Sequence, residues 1–153
     1  VFNFLAAVKQ LKTLGISFKT VIRLHPKQSE NDILQINDFD YVSKGGESVE
    51  VCLASDIVVG MGSMVLAEAH EMGKPVVSLL PRLKEVDWMP VAIRDKIRIC
   101  YSKEDLISAL YEIFVADTWE QPVSTPEVND SKNGSLLEFI ESVIISSEEA
   151  QLS

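Results

Sequence analysis

Eight residues in this 153-residue chain carry the types and spacing that could do chemistry on an anion. Gly60, Gly62, Ser63 and Met64 lie in one short run, Gly60-Met61-Gly62-Ser63-Met64, between an apolar segment and a helical one. Glycines let a ligand approach the backbone closely. The unbonded N–H groups of a helix start, with the helix dipole, then hold negative charge. Ser63 adds a hydroxyl, as N-cap or as a phosphate donor. Glu68, one and a half turns into the predicted helix, could accept two hydrogen bonds from a ribose diol. His25, before Pro26, sits at a predicted strand end, where an imidazole can meet an anion. Ser43 precedes Gly45-Gly46 at another strand end. Arg82 follows a third, and Trp88 lies in the same loop.

Each feature also has an ordinary structural reading. The glycines can form a plain tight turn with Ser63 as cap, and Glu68 can lie on a solvated helix face. His25 can be a strand-end histidine bonded to backbone, and Arg23 and Lys27 beside it, which could clamp a phosphate, can be solvated charges. Trp88 can pack on the surface of its own domain. Three well-known motifs are absent. A GxGxxG fingerprint needs glycine where Val65 stands, and a P-loop needs Gly-Lys-Ser/Thr at the turn. A GxSxG elbow around Ser63 finds Met61 and Val65 instead of glycines. His70 lies two turns down the same predicted helix, so it completes no triad with Ser63.

The elements that would position these residues follow from apolar spacing. Residues 4–14 repeat helically and stop at Gly15, and residues 18–24 read as a strand. A short helix over 29–36, a short strand over 39–43 and a helix over 47–54 come next. Residues 56–61 and 75–80 are continuous apolar strands around a helix over 63–72, which Gly73 closes. After a polar loop over 81–95 come a strand over 97–101 and a helix to about 115. Ser102 with Asp105 gives that last helix a capping box. Residues 117–131 read as a linker, and 136–145 as a final helix. Strands alternating with helices, and apolar throughout, predict an α/β fold: a doubly wound parallel sheet with helices on both faces. Ligands of such sheets bind at the carboxyl ends of the strands. A doubly wound domain opens with a strand, so we expect one, with its loop, before residue 1.

Lys and Arg number 14 against 23 Asp and Glu, a formal charge of −9. Residues 117–153 carry eight of the acids and one base, so the body is near neutral and the end acidic. An acidic chain lacks the footprint of a nucleic-acid binder. No apolar run reaches the roughly 20 residues of a membrane helix, and no secretory signal is visible. Cys52 and Cys100 read as buried free thiols in a reducing compartment, which points to the cytoplasm. Two Cys and two His, widely spaced, offer no metal motif.

The order of these motifs resembles the carboxyl-terminal lobe of GT-B-fold sugar-nucleotide enzymes. These include inverting glycosyltransferases and non-hydrolysing UDP-N-acetylglucosamine 2-epimerases. The residues that carry the resemblance are Leu24-His25-Pro26, Gly62-Ser63-Met64, Glu68-Ala69 and Met72-Gly73-Lys74-Pro75. The resemblance spans residues 4–116 and implies half of a bilobed fold. Residues 1–116 would be the nucleotide-sugar-binding lobe, 117–131 a linker, and 132–153 a crossover helix with an acidic tail. It implies that Gly60, Gly62, Ser63 and Met64 hold the diphosphate, that Glu68 binds the ribose and that His25 acts at the phosphate or the reacting sugar. It also implies that the segment Val42 to Gly46, with Ser43, holds the base. Separately from the resemblance, Arg82 lies in the loop after a buried strand, on the ligand side, and could contact phosphate or sugar.

The implied activity is glycosyl transfer from a UDP-sugar, in polysaccharide or glycoconjugate synthesis. The sugar nucleotide would be substrate, with no separate cofactor. The implied partner is an amino-terminal lobe of the same chain, with peripheral membrane contact and oligomeric state left open. Leu66 and Ala67 replace the extra acidic or glutamine residue of the epimerases, which favours transfer over epimerisation. A non-catalytic nucleotide-binding or interaction module is the alternative outside enzymology.

Overall fold

The computed structural model describes residues 1–89 and 91–116 and, as backbone, 142–146. It is α/β. Five strands run in one direction: β1 (Lys19–Arg23), β2 (Tyr41–Ser43), β3 (Ile57–Gly60), β4 (Val76–Leu79) and β5 (Arg98–Cys100). They form two parallel ladders, β2-β1 and β3-β4-β5. A sixth strand, β6 (Ser142–Ser146), joins the ladders and runs against both neighbours, giving the order β2-β1-β6-β3-β4-β5.

Helices cover both faces. On one face α1 (Phe2–Thr13) and α5 (Lys103–Tyr111) pack Phe4, Leu11, Leu106 and Leu110 onto Ile22, Ile57, Val59, Val77 and Cys100. On the other, α2 (Ser48–Leu53), α3 (Met64–Glu71) and α4 (Val91–Arg94) lie over the sheet. There Cys52, Val65, Leu66 and Ile93 form a core with Val58 and Val76. A strand sends alternate side chains to opposite faces. Burial on both faces is why β3 and β4 read as unbroken apolar runs.

The structure departs from the sequence expectations in three places. Residues 29–36 do not form one helix; the chain makes two 3-10 turns, Glu30–Asp32 and Ile36–Asp38. The loop over 81–95 contains a 3-10 segment, Leu83–Trp88, followed by α4. The predicted helix over 136–145 is a strand from Ser142 onward, and residues 136–141 lie outside the described ones. Val143, Ile144 and Ile145 are β-branched in succession, which favours extended backbone. The slot between β1 and β3 also gives both edges of the segment a ladder partner. Ile144 pairs with Val21 on one side and Val58 on the other. The sheet is therefore mixed rather than wholly parallel. β6 occupies the place between β1 and β3.

Candidate functional site

Because β1 to β5 are parallel, their carboxyl ends share one edge, and the candidate residues gather along it. His25 follows β1, Ser43 ends β2, Gly60 ends β3, and Arg82 lies just beyond β4. β1 and β2 are directly paired, and the Leu24 N–H donates to the Ser43 carbonyl at 3.0 Å, so His25 and Ser43 are neighbours. β6 separates β1 from β3. Two strand spacings then put the His25 and Gly60 strand ends roughly 10 Å apart.

The turn from β3 to α3 places Gly62 and Ser63 directly before the helix, with Ser63 at the N-cap in extended conformation. Ser78, fully buried in the middle of β4, donates its hydroxyl to the Met61 carbonyl and pins this turn. Sequence reading passed over Ser78. The signal was there: a hydroxyl inside an apolar strand must find a partner. Met64 opens α3 and is 56 % exposed, an apolar side chain that packing does not account for. Glu68 is exposed one turn further on. Burial, with the Glu68 charge adding to it, pushes the Cys52 thiol up.

A cavity of ≈ 250 Å³ opens at the carboxyl ends of β3 and β4. Gly60, Met61, Leu79 and Pro81 line it, with Phe2 and Phe4 from the first turn of α1. The amino ends of α1 and α3 thus both reach this edge. Arg82 is exposed and starts the 3-10 segment, its N–H donating to the Glu85 carboxylate at 3.1 Å. Glu85 is 8 % exposed and was not anticipated. The side chain of Trp88 lies outside the described residues.

His25 is held by its own turn. Its N–H donates to Gln28 Oε1 at 3.2 Å, and its carbonyl accepts from the Gln28 N–H at 2.8 Å. Its Nδ1 accepts from the Lys27 N–H at 3.1 Å. An imidazole nitrogen that accepts carries no proton, so this network assigns the neutral tautomer protonated at Nε2.

Arg23 differs from expectation. It is not a solvated charge but 2 % exposed. Nη1 donates to Ser43 Oγ at 3.0 Å and to the Gly45 carbonyl, and Nη2 donates to the Gly46 carbonyl at 2.6 Å. Spacing along the chain could not have revealed this, since the partners lie 20 to 23 residues away.

Among the described residues no group of three His, Cys, Asp or Glu side chains is arranged for a metal ion, and no helix is long and apolar enough to cross a membrane. Comparison with protein-family models, curated proteins and solved structures finds no match to the chain. What is defined is a class: an α/β chain with mainly parallel strands and a glycine-containing strand-to-helix turn at their carboxyl edge.

Proposed function

We propose that this chain is the nucleotide-sugar-binding lobe of a GT-B-type glycosyltransferase, with a UDP-linked sugar as donor. The observation that carries the reading is the gathering, at one sheet edge, of the Gly60–Met64 turn, the start of α3, His25 and the Ser43 loop. In this reading the amides at the start of α3, with the Ser63 hydroxyl, hold the diphosphate. Glu68 accepts from the ribose hydroxyls, and Arg82 reaches phosphate or sugar from beyond β4. The Ser43–Gly46 segment takes the base.

The transfer breaks the bond between the sugar C1 and the β-phosphate oxygen. An acceptor hydroxyl oxygen attacks C1 and passes its proton to a general base, which this reading places on the opposing lobe, and UDP leaves with the bonding electrons. Donors aimed at the departing phosphate stabilise the charge that develops there. The Nε2 proton of His25 fits that role of donor to phosphate better than the role of base.

Calorimetric titration of the full chain with UDP, repeated with Glu68→Ala, tests the reading. The expected result is micromolar affinity in the wild type and a loss of about tenfold in the variant, roughly 1.4 kcal/mol. A folded wild-type chain that does not bind UDP overturns the proposal.

A further inference from the structure

Arg23 is a buried cation whose hydrogen bonds all go to neutral groups. Its guanidinium meets the Ser43 hydroxyl and the Gly45 and Gly46 carbonyls, while Nε is buried without a partner. Among the described residues no carboxylate lies within ion-pair distance of it. Burying a charge without a counter-charge is costly, and the core alone gives no reason for it. Val21 packs on the α2/α3 side of the sheet, and alternation places Arg23 on that side too.

Apart from Arg23, a surface ion pair from Lys44 Nζ to Glu30 Oε1 at 2.5 Å ties the loop, and such a pair on exposed side chains fixes little backbone. Gly45 and Gly46 stand at φ +70 and +67, with nothing within 4 Å of Gly45 where a side chain would be. Two successive glycines have a wide conformational range and lose much entropy when ordered. A planar guanidinium that holds two consecutive carbonyls fixes two peptide units at once. In a trans peptide the N–H points opposite to the carbonyl it adjoins. With both carbonyls turned to Arg23, the Gly46 and Glu47 amides face away from it.

We propose that Arg23 is a positioning residue, which orders the Ser43–Gly46 segment in advance so that the nucleotide does not bear the cost of ordering it. This rests on the nucleotide-binding reading above. Arg23 is too deeply buried to touch the ligand and acts through the loop, by pre-organisation.

The test uses the full chain with Arg23→Gln, Arg23→Lys and Gly46→Ala. Amide exchange at residues 43–47 is followed without ligand, and UDP affinity is measured at several salt concentrations. In both Arg23 variants exchange should rise tenfold or more and UDP affinity fall about tenfold, with the salt dependence of the wild type. Lysine should not rescue, because one ammonium cannot fork two carbonyls. Gly46→Ala strains the same loop and leaves Arg23 in place, so it should reproduce the loss even if the Arg23 variants fail to fold. UDP affinity that survives loosening of the loop overturns the inference and leaves the nucleotide reading standing. So does an altered salt dependence with the loop still ordered, which marks Arg23 as a through-space charge. A folded wild type that does not bind UDP overturns both.

Discussion

Thr20 and Asp40 lock the register of β1 against β2. Asp40 Oδ2 accepts from the Thr20 N–H at 2.7 Å and from the Thr20 hydroxyl at 2.9 Å. The Asp40 N–H donates back to Thr20 Oγ1 at 3.2 Å. Lys12 of α1 lies 3.4 Å from the same carboxylate. One aspartate therefore ties together the edge strand, its neighbour and a helix. It also sets where the Ser43 loop leaves the sheet.

The Asp40 carboxyl is shifted by opposed causes. Burial works to raise it, but the two Thr20 donors and Lys12 outweigh burial and hold it below the usual carboxylate range. A carboxylate depressed in the folded state contributes stability that is complete above its unfolded value, about 3.9, and is lost as pH falls through the folded value. Asp40→Ala leaves the buried Thr20 N–H and hydroxyl without their acceptor and should cost about 1–3 kcal/mol at pH 7. The gap between wild type and variant should narrow below about pH 4. Urea denaturation from pH 3 to 7 measures both effects, and a pH-independent gap contradicts the assignment.

Neither thiol should react in the native state. Cys100 is fully buried, and burial pushes its thiol up to about 12. At pH 8 that leaves on the order of 10⁻⁴ as thiolate, and the thiolate is the reactive form. Cys52 is fully buried and also raised by burial. Titration with a chromogenic disulfide at pH 8 should find no fast thiol in the folded chain and two after unfolding in guanidinium. A fast native thiol means that α2 or β5 opens locally.

Gly73 ends α3 in the left-handed region, φ +76, with its N–H bonded to the His70 carbonyl at 2.9 Å. Nothing lies within 4 Å of where its Cβ would be, so substitution costs backbone strain alone. Gly73→Ala should lower stability by about 1–2 kcal/mol. Gly73→Asn should lose less, because asparagine tolerates this conformation. Thermal melts of the two variants give the comparison, and equal losses argue against the strain account.

What sequence made legible was what neighbours in the chain decide. The apolar runs around Ile57 and Val76, the stops at Gly15 and Gly73 and the Ser102–Asp105 capping box all appear where spacing placed them. In that box the Asp105 N–H donates to Ser102 Oγ at 3.0 Å. The gathering of His25, Ser43 and Gly60 at one edge followed from parallel strands alone. Distant partners were not legible. Arg23 looked solvated because the carbonyls that bury it come from a loop more than 20 residues on. Ser78 was passed over because its partner, the Met61 carbonyl, lies 17 residues away in the chain. The segment ending at Ile145 read as a helical stripe, and its β-branched end was overlooked. Only the empty place between β1 and β3, a tertiary fact, decided it.

That decision can be tested by a substitution whose two outcomes have opposite sign. Alanine is the best helix former and a poor strand former, whereas valine and isoleucine are the reverse. Replacing Val143, Ile144 and Ile145 together with alanine would strengthen a helix over these residues. It should weaken a strand paired on both edges, because β-preference differs by up to about 1 kcal/mol per residue. The register sets Ile144 between Val21 and Val58, so weakening β6 loosens both parallel ladders at once. The urea midpoint of the triple variant should fall, and amide exchange in β1 and β3 should rise together. A midpoint that rises, with exchange in β1 and β3 unchanged, would place these residues in a helix outside the sheet.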